Sequence, residues 1–221
     1  MSTSEEIAQH VILFRQWISE RFTSEDIASG NVDDTGYPHW DLIKKTFKRV
    51  FKEENLNDMS PQDLDNLVYL IARQWDRGGI LNWFDKGDRR ISFIGMNGFH
   101  LFALSEAGLR TPERDARYQF AASLYKLGPD KRVISLLLQY LKDEDSYTRT
   151  MALRSLSRIN YEGIVEKIKY LWDAGDEWNQ MMCISIAKDH DETLFKELLE
   201  KGMSSKKELL EDFIKRNEYG T

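Results

Sequence analysis

Cysteine is nearly absent: Cys183 is the single thiol among 221 residues. One thiol closes no internal disulfide and supplies no cysteine-based zinc site. Proline (4) and glycine (13) are scarce as well, which argues against long irregular loops. No apolar run approaches the ~18 residues of a membrane helix. The opening Met1-Ser2-Thr3-Ser4-Glu5-Glu6 carries acid where a secretory signal carries base, and no apolar stretch follows. These absences point to a cytoplasmic chain with no membrane segment. Base is also in deficit. Lys and Arg number 31 against 37 Asp and Glu, a formal net charge of −6. Proteins that grip nucleic acid usually need a basic excess to neutralise phosphates. The balance therefore lowers the expectation of a nucleic-acid partner and suits a protein partner of basic character.

Reactive centres are equally sparse. Of His10, His39, His100 and His190, no two stand at the i, i+4 spacing of a helical zinc site, and HExxH is absent. GxSxG, Walker A and GxGxxG sequences are missing too. Asp189-His190-Asp191 is the one tight histidine–carboxylate cluster, and it falls where a helix should end, so a solvated turn is the simpler reading. Cys183 sits at a core position of its helix and reads as a buried structural thiol. No catalytic residue, metal or cofactor is expected.

Apolar spacing, by contrast, is abundant and helical. The chain is 41% hydrophobic and 12% aromatic, enough to offset the entropy of ordering it. Ile7, Val11, Phe14, Ile18 and Phe22 form one stripe, predicting a helix from about Ser4 to Phe22. A second helix follows Pro38, with Trp40, Ile43, Phe47, Val50 and Phe51 inward and Lys44, Lys45, Lys48, Arg49 and Lys52 on the opposite face. Ser60, Pro61 and Asp63 open a third helix, predicted to bury Leu64, Leu67, Val68, Ile71 and Trp75 and to end at Gly78-Gly79. Residues 80–94 read as a small hairpin or as two short helices, and the helical surroundings favour helix. The fold class is all-α, with an N-terminal helical region over 1–110 and helical repeats over 111–221.

The repeats show as self-similarity. Arg117, Leu124 and Leu127 return 32 positions later as Arg149, Leu156 and Ile159; Val133, Leu136 and Tyr140 return as Val165, Ile168 and Trp172. With a shift of 31, Ala152 becomes Cys183, Leu156 becomes Ala187, Ile164 becomes Phe195 and Ile168 becomes Leu199. Ser205 and Glu208 are spaced as a capping box for a last helix that closes the stack. One helix pair cannot bury its apolar stripe alone, so neighbouring pairs must share a continuous seam.

Arg117-Tyr118-Gln119-Phe120-Ala121-Ala122-Ser123-Leu124 and Arg149-Thr150-Met151-Ala152-Leu153-Arg154-Ser155-Leu156 resemble the first helix of HEAT repeats, and Leu141-Lys142-Asp143-Glu144-Asp145 is similar to that family's acidic turn. The resemblance covers about Thr111 to Gly202, with a period shorter than the ~40 residues usual for such pairs. It implies stacked helix pairs, an α-solenoid, and a non-catalytic protein-binding module. The binding surface is then expected on the second helices, at Gln139, Lys142, Glu162, Glu166, Lys169 and Trp172. A further candidate patch is Arg73, Trp75 and Arg77, since Trp and Arg are enriched at binding hot spots. Within the module reading, small size and acidic balance suit a bacterial immunity protein that neutralises a basic toxin. The alternatives are a HEAT-like DNA glycosylase, for which Trp172, Trp178, Asp173 and Asp176 are the nearest candidates, and a small scaffold or adaptor.

Overall fold

A computed structural model describes residues 2–29, 32, 36–73, 79–84, 98–205 and 207–219, the side chains of 28, 29 and 217–219 aside. Twelve α-helices run through these residues, and there is no strand among them. The chain forms two compact units, residues 1–120 and 121–221.

In the first unit, α1 (Thr3–Ser19) opens on a capping box between Ser2 and Glu5, which supplies partners for orphan amides at the helix start. It buries Ile7, His10, Val11, Phe14 and Ile18. The short α2 (Ser24–Ser29) follows, then α3 (Trp40–Glu53), which buries Ile43, Phe47, Val50 and Phe51. Helix α4 (Pro61–Ala72) starts where the cap signal places it: the Ser60 hydroxyl accepts from Asp63 N–H with Pro61 in the first turn. It buries Leu67, Val68 and Ile71, while Leu64 is half-buried. Helix α1 packs on α3 and α4, and α4 packs on α5 (Gly98–Gly108). Phe14 is the centre of an aromatic cluster with Tyr37, Trp40 and Tyr69, at centroid distances of 4.9, 5.4 and 6.2 Å.

Residues 80–84 are a turn of 3-10 helix burying Ile80, Leu81 and Phe84. The remainder of the expected hairpin-or-helix segment, 85–94, lies outside the described residues, as does the expected helix end at Gly78.

Helix α6 (Arg114–Ser123) runs across the division between the units and tightens into a 3-10 turn over Leu124–Leu127. Gly128 ends it at φ 82°, in the left-handed region that a side chain disfavours. The second unit then alternates: α7 (Lys131–Tyr140), α8 (Ser146–Arg158), α9 (Ile164–Ala174), α10 (Glu177–His190), α11 (Glu192–Ser204) and α12 (Glu208–Tyr219). Asp130, Asp145, Asp176 and Asp191 each accept a hydrogen bond from a backbone N–H of the helix they precede. Each thereby satisfies an orphan amide and places negative charge at the positive helix end. Helix α8 closes with Asn160 at φ 52° and with Tyr161 N–H returning to Leu156 C=O at 3.1 Å, a Schellman ending.

The seam is built by the first helices of the pairs. Helix α8 packs on α10, and α12 packs on both α10 and α11, so α12 takes the place of the next first helix. Ala121, Leu153 and Ile184 are buried, as are Leu124, Leu156 and Ala187, at the shifts of 32 and 31 expected from the sequence. Gly202 is where α11 meets α12: a Cβ there would lie 2.5 Å from Ile214 Cδ1.

The second helices follow a different register from the expected one. Val133, Leu137 and Leu141 correspond in burial to Ile164, Ile168 and Trp172, a shift of 31, and these to Leu194, Leu198 and Gly202, a shift of 30. Val165, Phe195 and Leu199, the expected equivalents, are only half-buried. Each pair has lost one residue between its helices relative to the pair before. The start of the last helix differs too: Ser205 Oγ donates to Gly202 C=O at 2.7 Å and accepts from Lys207 N–H at 3.4 Å, and α12 begins at Glu208, so Glu208 does not stand third in a helix capped by Ser205 as the expected box requires.

Candidate interaction surface

The strongest repeated contact lies at the start of each first helix. Arg117 Nη1 donates to the carbonyls of Thr111 and Pro112 at 3.1 and 3.3 Å. Arg149 Nη1 donates to those of Asp143 and Glu144, both at 2.9 Å. In each case the guanidinium reaches back five and six residues and ties the preceding turn to the helix. Such charge-assisted bonds are stronger than neutral ones. The third copy carries Gln180, whose Nε2 reaches Trp172 C=O at 3.2 Å. Asn179, fully buried, replaces part of what is lost. Its Oδ1 accepts from Arg149 Nε and Nη2 at 3.3 and 3.1 Å, and its Nδ2 donates to Ser146 C=O and Thr150 Oγ1 at 2.9 and 2.6 Å. The N-termini of α8 and α10 therefore lie side by side. Lys207 Nζ reaches Gln180 Oε1 at 2.9 Å and brings the start of α12 alongside them.

Residues 103–193 match the family model of HEAT repeats. No curated protein and no solved structure matches the chain. The HEAT match begins within α5 and runs to the first turn of α11. HEAT repeats generally mediate protein–protein interaction and are typically non-catalytic.

Of the residues expected on the second helices, Gln139, Glu166 and Lys169 are exposed on α7 and α9, whereas Lys142 and Glu162 are exposed outside those helices, after Tyr140 and before Ile164. Glu166 pairs with Lys167 at 2.8 Å. Trp172, expected on the surface, is only 7% exposed, and its equivalents Leu141 and Gly202 are buried as well. Arg73 is held within the first unit, ion-paired with Glu113 and lying 5.2 Å above the Tyr69 ring. Trp75 and Arg77 lie outside the described residues.

The sparse reactive candidates have structural roles. Cys183 is fully buried, its Sγ donates to Ile168 C=O at 3.4 Å, and burial pushes the thiol far above its ordinary range. His190 Nε2 meets Ser157 Oγ at 2.8 Å, and Asp191 caps α11. No group of three or more metal-binding side chains is gathered among the described residues. No helix among them is long and apolar enough to cross a membrane. Among the glycosylase candidates, Trp172 is buried, Asp176 is the cap of α10, and Asp173 and Trp178 are exposed.

One row of surface residues escaped the sequence reading. Tyr147, Trp178 and Leu209 are 46, 68 and 58% exposed. Each is the second residue of a first helix, α8, α10 or α12, and they follow one another at intervals of 31 residues. The shared position just after Asp145 and Asp176 was the available signal. Its chemistry changes from phenol to indole to isobutyl, which hid the recurrence.

Proposed function

We propose that the chain is a protein-binding module, built on the HEAT-like seam of its C-terminal half. The observation that carries this reading is the match of residues 103–193 to HEAT repeats, repeats that generally mediate protein–protein interaction. Holding α8, α10 and α12 in one packed row keeps the chain's own ordering cost on docking small.

The finer reading is a basic protein as partner, of the kind a bacterial immunity protein covers when it neutralises a nuclease toxin. The net charge of −6 supports it, since opposite potentials steer association and raise the on-rate. The exposed Glu162 and Glu166 on the HEAT pair α8–α9 are suited to meet such a surface. Affinity capture with the tagged chain in its native host tests the module. It should return one stoichiometric protein partner of high isoelectric point. Repeated recovery of the chain alone contradicts the module, and an acidic partner contradicts only the finer reading. Glu162→Lys with Glu166→Lys should weaken a basic partner about tenfold, as rim charges acting mainly on association do.

A further inference from the structure

The geometry points to a second docking surface, on the opposite row of helices: we propose that Tyr147, Trp178 and Leu209 receive a basic amphipathic helix of a partner protein. The inference rests on the module reading and names a surface and an occupant for it.

Large apolar side chains scattered singly over a surface need no explanation. These three are not scattered. They recur at one structural position on three consecutive packed helices, and Asn179 and Lys207 hold those helix ends in line. One turn further along each helix stand Met151, Met182 and Phe213, also 31 residues apart, the first buried and the others half-buried. The row is thus two side chains wide, an apolar strip crossing α8, α10 and α12.

Packed helices stand about 8–10 Å apart, so the three exposed residues span roughly 20 Å. An α-helix laid across them rises about 1.5 Å per residue and returns one face every seven residues, about 10.5 Å. Its a-type positions would meet Tyr147, Trp178 and Leu209 in turn. A polyproline helix has a repeat of about 9 Å, but it presents a narrow ridge that would leave the second row of Met182 and Phe213 uncovered.

The rim selects the charge. Glu144, Asp176, Glu208 and Asp212 are exposed around the strip, and Glu177 is half-buried beside Trp178. Of the cations near this end, Arg149 and Lys207 are committed to Asp143, Glu144, Asn179 and Gln180, Lys142 is exposed in the turn before α8, and Arg154 and Arg216 are exposed one turn beyond Met151 and Phe213. An apolar strip within an acidic rim suits a helix with Leu-type residues on one face and Lys or Arg on its flanks.

The test uses a fluorescein-labelled synthetic helix of roughly 18 residues, with leucine at heptad a and d positions and lysine on the flanks, titrated with the full chain by anisotropy. Saturable binding is expected. Trp178→Ala should weaken it tenfold or more, as for a central aromatic anchor, and glutamate in place of the flanking lysines should abolish it. Trp178 is exposed, so the variant should fold like its parent, which circular dichroism checks. Three outcomes overturn the inference: no binding, equal binding by a proline-broken peptide, or equal binding by Trp178→Ala. Loss of binding in the Glu162→Lys, Glu166→Lys chain alone overturns it too, while leaving the module reading intact. So does a two-chain mass in sedimentation that Trp178→Ala halves, since it assigns the row to a second copy.

Discussion

Removing the side chain of Asn179 should loosen the C-terminal unit more than any surface change of similar size. Asn179 is fully buried and makes four contacts: two from the Arg149 guanidinium, one to Ser146 C=O and one to Thr150 Oγ1. Bonds to a charged group are worth about 1.5–3 kcal/mol net, neutral ones about 1, and a buried group left unpaired costs about 1–3. Arg149 keeps its two loop carbonyls, and it is only half-buried, so water can replace part of the loss. Asn179→Ala should therefore cost about 3 kcal/mol. Urea unfolding followed by far-ultraviolet circular dichroism reads this directly. With a slope of about 2 kcal/mol per molar, the midpoint should fall by about 1.5 M. Arg149→Ala should be strongly non-additive with it, with a coupling of about 1–2 kcal/mol in a double-mutant cycle. A loss below about 1 kcal/mol in Asn179→Ala, or full additivity with Arg149→Ala, would refute the claim that this asparagine ties α8 to α10.

Three further outcomes follow from the packing. Gly175→Ala places a methyl 2.5 Å from Leu171 C=O and 2.4 Å from Asn179 Cβ, so it should destabilise the chain by about 2 kcal/mol; an unchanged urea midpoint would contradict the tight α9–α10 turn. Cys183 should stay unreactive toward a thiol reagent in the native chain and react fully in denaturant, and fast native labelling would contradict its burial. Burial lowers the pKa of His10 below its ordinary 6.5, the charge of Glu6 opposing that shift and His39 adding to it. The folded state then binds its proton less readily than the unfolded chain. Its contribution is present above about pH 6.5 and is lost as pH falls toward the lowered value. His10→Gln should flatten the fall in stability just below about pH 6.5, and an unchanged slope there would contradict this.

The helices of the first unit were readable because their stripes are simple. Phe14 and Ile18, or Phe47 and Phe51, stand one turn apart, with the polar Arg15-Gln16 and Lys48-Arg49 following the first of each pair. The first helices of the repeats were readable for a second reason. Arg117 and Arg149 perform the same task on the same turn, so the residue itself recurs. The second helices were misaligned by one position because their apolar residues come in adjacent pairs. Ile164-Val165, Leu194-Phe195 and Leu198-Leu199 offer two stripes each, and the length of the connection decides between them. Trp172 is buried although it was a surface candidate; the expected match to apolar Tyr140, itself fully buried, already pointed inward. The exposed row at 147, 178 and 209 follows from helix-start geometry and not from residue type, so only the aligned caps could have shown it. Arg73 was legible as an arginine near aromatics but not as one already paired with Glu113.

Hydrogen exchange on the complex captured from the native host tests the central claim most directly. If the HEAT-like half is a protein-binding surface, amides of α8 to α12 should gain protection when the partner is bound, and residues 1–73 should change little. Protection confined to the N-terminal unit, or none in a complex that stays intact, would contradict the account.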